Sequence, residues 1–164
     1  MNSQAYTIWH SMLQRSYDSN YHKKEPTYKS VVVYEEWHNF QNFAEWFYTK
    51  SDYQEGWHLD KDLLSTDNKI YSQATCLFIP RKLNNFLANV QLNNTSGYTG
   101  VSWYKPTNKW AARIYVDEKP KHLGYYTNKQ IAALMYKLAR RKEANKWKEK
   151  MQGTLPQKAI NGIK

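Results

Sequence analysis

The chain lacks the features that would place it in several broad classes. Its 164 residues hold one cysteine, Cys76, so no internal disulfide can staple the fold. Five histidines are scattered with no Cys-x-x-Cys pair near them, and a structural zinc site is not expected. No run approaches the roughly eighteen consecutive apolar residues that a membrane span needs. Met1-Asn2-Ser3-Gln4 also lacks the charged-then-apolar layout of a signal peptide. These absences predict a soluble, cytoplasmic protein with no membrane partner.

Aromatic residues and positive charge are abundant. With 7 Trp, 14 Tyr and 5 Phe, a small module can still form a stable core. The net charge of +10 is unevenly spread. Met1 to Asn93 holds nine Lys or Arg against ten Asp or Glu, and Asn94 to Lys164 holds fifteen against four. A block of cations that large repels itself unless a polyanion answers it, which points to nucleic acid as the partner of the second half.

The length suits two small modules. Ala5 to Tyr17 reads as a helix with Ser3 as its N-cap, Asp18 to Lys29 as a loop, and Val31 to Tyr34 as a buried strand. A second helix follows, with Trp37, Phe40, Ala44, Phe47 and Tyr48 along one stripe and Phe43 and Trp46 widening it. Arg81 to Val90 is weakly helical, and the turn from Asn93 to Gly97 marks the expected boundary.

Short strands follow at Gly100–Lys105, Trp110–Val116 and Lys121–Tyr126. A helix capped by Thr127 and Gln130 then carries Ile131, Leu134, Met135 and Leu138 as its expected buried stripe. The predicted domains are residues 1–92, 93–147 and a flexible basic tail over 148–164.

A three-stranded sheet covered on one face by one helix leaves its other face open. Strand alternation turns Val101, Trp103, Trp110, Ala112, Ile114 and Val116 inward, and Ser102, Tyr104, Lys109, Ala111, Arg113 and Tyr115 outward. Such a ribbon fits the major groove of B-form DNA, with Arg addressing guanine and Lys or Tyr holding phosphates, while Ala111 would let the backbone come close. Lys105, Lys121, Arg140 and Arg141 are further candidates for backbone contact.

Ser96-Gly97-Tyr98-x-Gly100-Val101-Ser102-Trp103, Lys109-Trp110-x-Ala112-x-Ile114, Lys121-His122-Leu123-Gly124-Tyr125, and Ala132-Ala133 with Tyr136 together resemble the plant ethylene-response-factor (Apetala-two) DNA-binding domain. That resemblance implies a sheet lying in the major groove, with Thr99, Ser102, Tyr104, Lys109, Arg113 and Tyr115 on the DNA. Thr99 and Ser102 stand where plant members usually have arginine, and Arg113 where they usually have glutamate. A different target sequence is the expected consequence.

Trp9-x-x-Met12-x-x-Arg15, Val31 to Tyr34, Trp37-x-x-Phe40-x-x-Phe43, Leu59-Asp60-Lys61-Asp62 and Tyr71-Ser72-x-x-x-Cys76 resemble small phage His-Asn-His (HNH) homing endonucleases. The resemblance implies an N-terminal module that nicks or cuts DNA with Mg²⁺ or another divalent metal, in a phage-infected bacterial cell. Such chemistry needs a histidine to activate water beside a bound metal. Lys61 falls at the histidine position, Asn68 at the central asparagine and Thr75 at the last ligand position.

His58 is a substitute base, although alternation sets it on the face opposite Lys61, and Asp60 and Asp62 are the candidate metal ligands. The expected fold is α+β, an HNH-like helix-strand-helix module followed by a three-stranded antiparallel sheet packed on one helix. A catalytically dead DNA-binding regulator and a phage effector gripping a host protein through exposed aromatic residues are the competing functions.

Overall fold

The computed structural model describes residues 3–65, 67–88 and 96–164. It is a mixed α+β chain that divides into two compact units, Met1–Arg81 and Lys82–Lys164. The division precedes the expected boundary at residue 93, which lies outside the described residues. Among the described residues no helix is long and apolar enough to cross a membrane.

In the first unit, α1 (Gln4–Tyr17) starts where Ser3 Oγ accepts from the Tyr6 backbone N–H at 3.2 Å. The expected loop after it is not one. Asp18 caps a short helix, α2 (Ser19–Lys24), by accepting from the N–H groups of Asn20 (2.7 Å) and Tyr21 (2.9 Å), and those two bonds hold its carboxyl below the usual range. A polar helix that buries nothing has no hydrophobic periodicity to announce it.

The strand β1 (Val32–Val33) pairs in parallel with β3 (Ile70–Tyr71). Only one face of β1 is covered: Val31 and Val33 are buried and Val32 is exposed. The helix α3 (Phe40–Thr49), capped by Asn39, buries Phe43, Trp46 and Phe47, and Tyr48 stays exposed. Two further strands, β2 (Trp57–Asp60) and β4 (Leu77–Pro80), form an antiparallel pair with Leu59 opposite Phe78.

Rings fill the core of this unit. Trp37 and Trp46 lie 4.7 Å apart, and Phe78 packs against Trp46, Phe47 and Tyr53. The Trp9 indole N–H donates to the Trp37 carbonyl at 2.7 Å, so even the partly buried ring ties α1 to this core.

The second unit begins with α4 (Arg81–Leu87), whose first residue falls on the other side of the division. It continues as an antiparallel sheet in the order β5 (Val101–Tyr104), β6 (Lys109–Val116), β7 (Lys119–Tyr126). The β6–β7 turn places Asp117 at φ 51° and Glu118 at φ 65°, the left-handed pair that a two-residue hairpin requires.

The long helix α5 (Lys129–Met151) crosses one face of the sheet. Its cap is Asn128, not Thr127: Asn128 Oδ1 accepts from Gln130 N–H at 2.7 Å and Ile131 N–H at 3.2 Å.

The buried side of α5 differs from the expected one. Ala132 and Ala133 meet Val101 and Ala112, while Ile131, Leu134 and Leu138 face outward. The sheet and the turn before it supply the bulk here, because Trp110, Leu123 and Tyr126 of the sheet and Tyr98 of that turn all pack on this cluster. Small helix residues then permit close approach. Gly100, at φ 70°, lies so near that a Cβ there would collide with the Tyr136 ring.

The C-terminal segment is also not the expected free tail. After a turn at Gly153, α6 (Gln157–Gly162) buries Ala159 and Ile160, and Leu155 and Ile163 are buried on either side of it. Five well-spaced apolar residues, Met151 included, outweigh the basic composition that suggested a solvated chain.

Candidate nucleic-acid interface

Strand register fixes the composition of the open sheet face. Ser102 and Tyr125 flank Ala111 on either side of β6, Tyr104 stands opposite Lys109, and His122 stands opposite Arg113. With Tyr115, these residues form a face that carries two permanent cations and no carboxylate. Acids border it at the Tyr115 end, where Asp117, Glu118 and Glu143 line a cavity with Tyr115, Lys82 pairs with Asp117 at 3.3 Å and the Asn85 amide donates to Glu118 at 2.8 Å.

His122 and Tyr125 are absent from the sequence-predicted set, for a definable reason. They are three residues apart, so strict alternation puts them on opposite faces. A register shift lets Ala112 pair with Gly124 and Arg113 with His122, leaving Leu123 as the extra residue. The bulge turns both rings to the open face. A glycine inside the strand, Gly124 next to Leu123, was the available signal.

These side chains form a row of rings. Tyr125 stacks on Tyr104 at 4.9 Å and 30°, and His122 tilts onto Tyr125 at 4.4 Å. Tyr104 and Tyr125 belong to the two outer strands, whose backbones are about 9.5 Å apart at ordinary strand spacing. Their rings therefore meet by leaning across β6. Ala111, beneath that arch, is fully buried rather than open to a ligand. Arg113 and Tyr115, the latter 63% exposed, stand clear beyond it.

The remaining candidates are dispersed. Thr99 sits in the turn before β5, and Lys105 opens the turn after it. Lys121 pairs with Ile114, a residue of the helix-side row, and so lies off the open face. Arg140 donates to the Phe86 carbonyl at 3.1 Å with its guanidinium over the Phe86 ring, and Arg141 is exposed on α5, across the sheet from Arg113. Trp110 packs into the core as expected, but its partner Trp103 is 46% exposed.

The candidate nuclease residues of the first unit are drawn into its scaffold. Lys61 is buried, with its ammonium bonded to Asp62 and to the Asn68 carbonyl (3.1 Å) and lying 5.8 Å from the centres of both the Tyr28 and Tyr71 rings. Asn68 returns the contact: its amide donates to the carbonyls of Lys61 (2.9 Å) and Ile70 (2.7 Å). Thr75 Oγ1 donates to the Ile70 carbonyl at 2.7 Å and accepts from Ser72 N–H at 3.1 Å.

Asp60 Oδ1 accepts from the N–H groups of Asp62 (3.0 Å) and Leu63 (2.7 Å). Burial pushes its carboxyl pKa up, with those two bonds opposing the shift. Asp62 is exposed and turned to Lys61, so the two carboxylates are engaged in different directions. Among the described residues no three His, Cys, Asp or Glu side chains converge as a metal site would require.

His58 is exposed on β2 opposite Ile79, and partial desolvation together with Arg81 and Arg15 lowers its pKa. Cys76 is buried, which pushes its thiol up to about 12 and leaves it unreactive at neutral pH. No protein-family model, curated protein or solved structure matches the chain.

Proposed function

We propose that this chain binds double-stranded DNA through the open face of its three-stranded sheet and does so without cutting it. The observation that carries the reading is the coincidence of Lys109, Arg113, Tyr104, Tyr115 and His122 on one sheet face that α5 does not cover and whose own row holds no carboxylate among the described residues, the acids Asp117, Glu118 and Glu143 lying only at its Tyr115 end. A two- or three-stranded ribbon is narrow enough for the major groove, and Arg113 is the side chain best placed to reach guanine. Tyrosine hydroxyls and Lys109 supply phosphate contacts along the edges of the face.

The absence of cutting is supported by the engagement of Lys61, Asn68 and Thr75 with backbone groups. A general base must offer a free lone pair to a water, and a buried ammonium held by Asp62 and the Asn68 carbonyl offers none. The rival reading, an Mg²⁺-dependent nickase of the HNH homing type, has Asp60 in its favour, a largely buried carboxylate of raised pKa. An effector that grips a host protein has a weaker basis in scattered exposed tyrosines.

Selection of bound sequences from a random duplex library, followed by salt titration of the best site, tests the binding claim. Removing one phosphate-binding side chain should reduce the log–log salt slope by about 0.9. A slope near zero for the intact chain would refute the claim. Incubation of that site in supercoiled plasmid with Mg²⁺ or Mn²⁺ tests the second claim: nicking that disappears in Asp60→Ala would establish a nuclease.

A further inference from the structure

The helix α5 carries an apolar stripe that the fold does not use. Ile131, Leu134 and Leu138 are 48%, 53% and 52% exposed, although their spacing puts them on a single helical face. Met135, half-buried, borders the stripe. The opposite side of the helix, with Ala132, Ala133, Glu143, Ala144 and Met151, is what the fold buries. Three large aliphatic side chains are left half in water on one face of one helix.

Charge identifies the occupant. Lys137, Arg141 and Lys142 flank the stripe and are exposed, and from Asn128 to Lys142 the sequence contains no Asp or Glu. The partner side chains that meet this border are therefore acidic, and those that meet the stripe are apolar at matching helical spacing. A second copy of the chain is disfavoured by the same border, since self-pairing would set basic flank against basic flank.

We infer that the outer face of α5 docks an acidic amphipathic helix, with Ile131, Leu134 and Leu138 in its apolar seam and Lys137, Arg141 and Lys142 answering its carboxylates. The surface lies on the side of the sheet away from Arg113, so this inference does not rest on DNA binding. Contact along one short seam implies a micromolar, salt-sensitive complex.

The test uses the full chain and a fluorescein-labelled synthetic helix of about twenty residues, with leucines on one face and glutamates beside them. A second peptide of identical composition has the leucines distributed around the helix. Anisotropy should report micromolar binding of the first peptide only. Leu134→Ser with Leu138→Ser should weaken it about tenfold without loss of folding, since both residues are exposed. Lys137→Glu with Arg141→Glu should weaken it and flatten its salt dependence.

Equal binding of the two peptides, no binding, or indifference to the serine variant would overturn the inference. Sedimentation revealing a dimer that the serine variant abolishes would assign the face to a second copy instead. Binding to phosphatidylserine vesicles, abolished in the serine variant, would assign it to a membrane surface if the helical peptide does not bind.

Discussion

Lys61 in the first unit and Arg113 in the second are both cations beside aromatic rings, but their surroundings differ in what they leave available. Lys61 is buried between Tyr28 and Tyr71 with its ammonium committed to Asp62 and Asn68. Arg113 is exposed opposite His122 on the sheet face that α5 does not cover. The difference separates a polar group that holds a loop from one that can meet a ligand. The distribution of charge agrees: residues up to Arg81 hold eight Lys or Arg against ten Asp or Glu, and the remainder hold sixteen against four.

The largest effect expected from breaking this contrast is on stability. Lys61→Ala should cost about 3 kcal/mol, because it leaves the Asn68 carbonyl without its donor and opens a cavity between two rings. Urea denaturation would measure this, and DNA affinity of the folded fraction should not change. A loss below about 0.5 kcal/mol would mean that Lys61 is not an anchor and would reopen its role in chemistry.

Next in size is a test of helix orientation in the second unit. Ala133→Leu forces bulk into the sheet contact and should destabilise by about 2 kcal/mol, whereas Leu134→Ser on the exposed side should cost under about 0.5 kcal/mol. The reverse ranking would show that the helix buries its leucines after all.

On the open face, Arg113→Ala should weaken duplex binding about tenfold and relax base preference at one position, with stability unchanged. Lys109→Ala should weaken all sequences alike and lower the salt slope by about 0.9. Competition electrophoresis with variant duplexes distinguishes the two behaviours.

The smallest effect concerns Asp60. Its folded-state pKa is raised by burial above the ordinary value of 3.8, so the folded state holds its proton more tightly than the unfolded chain. This contribution is fully present below pH 3.8 and is lost as pH rises through the folded value. Asp60→Asn, which keeps an oxygen for the Asp62 and Leu63 N–H groups, should therefore be neutral to slightly stabilising at pH 7. Its advantage should vanish in acid, as thermal melts across pH would report. An advantage that grows in acid would contradict the assigned cause.

Much of the second unit was legible in the sequence, because a period of two fixes which residues share a face once strands are placed. Tyr104, Lys109, Arg113 and Tyr115 were found this way. His122 and Tyr125 were not, since one extra residue at Leu123 reverses the parity of β7, and Gly124, the one hint of a bulge, does not say where the extra residue falls. The orientation of α5 was illegible for a different reason. Periodicity identifies an apolar stripe but not whether the sheet has room for it, and here Trp110 and Tyr126 had already taken the volume.

The first unit was legible in its helix cap at Ser3 and in the burial of Trp37, Phe43, Trp46 and Phe47, but the expected stripe also ran through Tyr48, which is exposed, and α2 escaped for want of any buried residue. The match of Leu59-Asp60-Lys61-Asp62 to the nuclease pattern singled out Asp60 and Asn68 as polar groups worth inspecting. It did not indicate that their partners are backbone groups of the same loop, a property of the folded chain rather than of spacing.

The most direct test of the central claim is to titrate the ¹⁵N- and ¹³C-labelled chain with a short duplex at low salt and follow its chemical shifts. The largest changes should fall on Ser102, Tyr104, Lys109, Arg113, Tyr115, His122 and Tyr125, with Arg141 and the outer face of α5 undisturbed. Changes centred on α5 or on the first unit, or none at all, would contradict it.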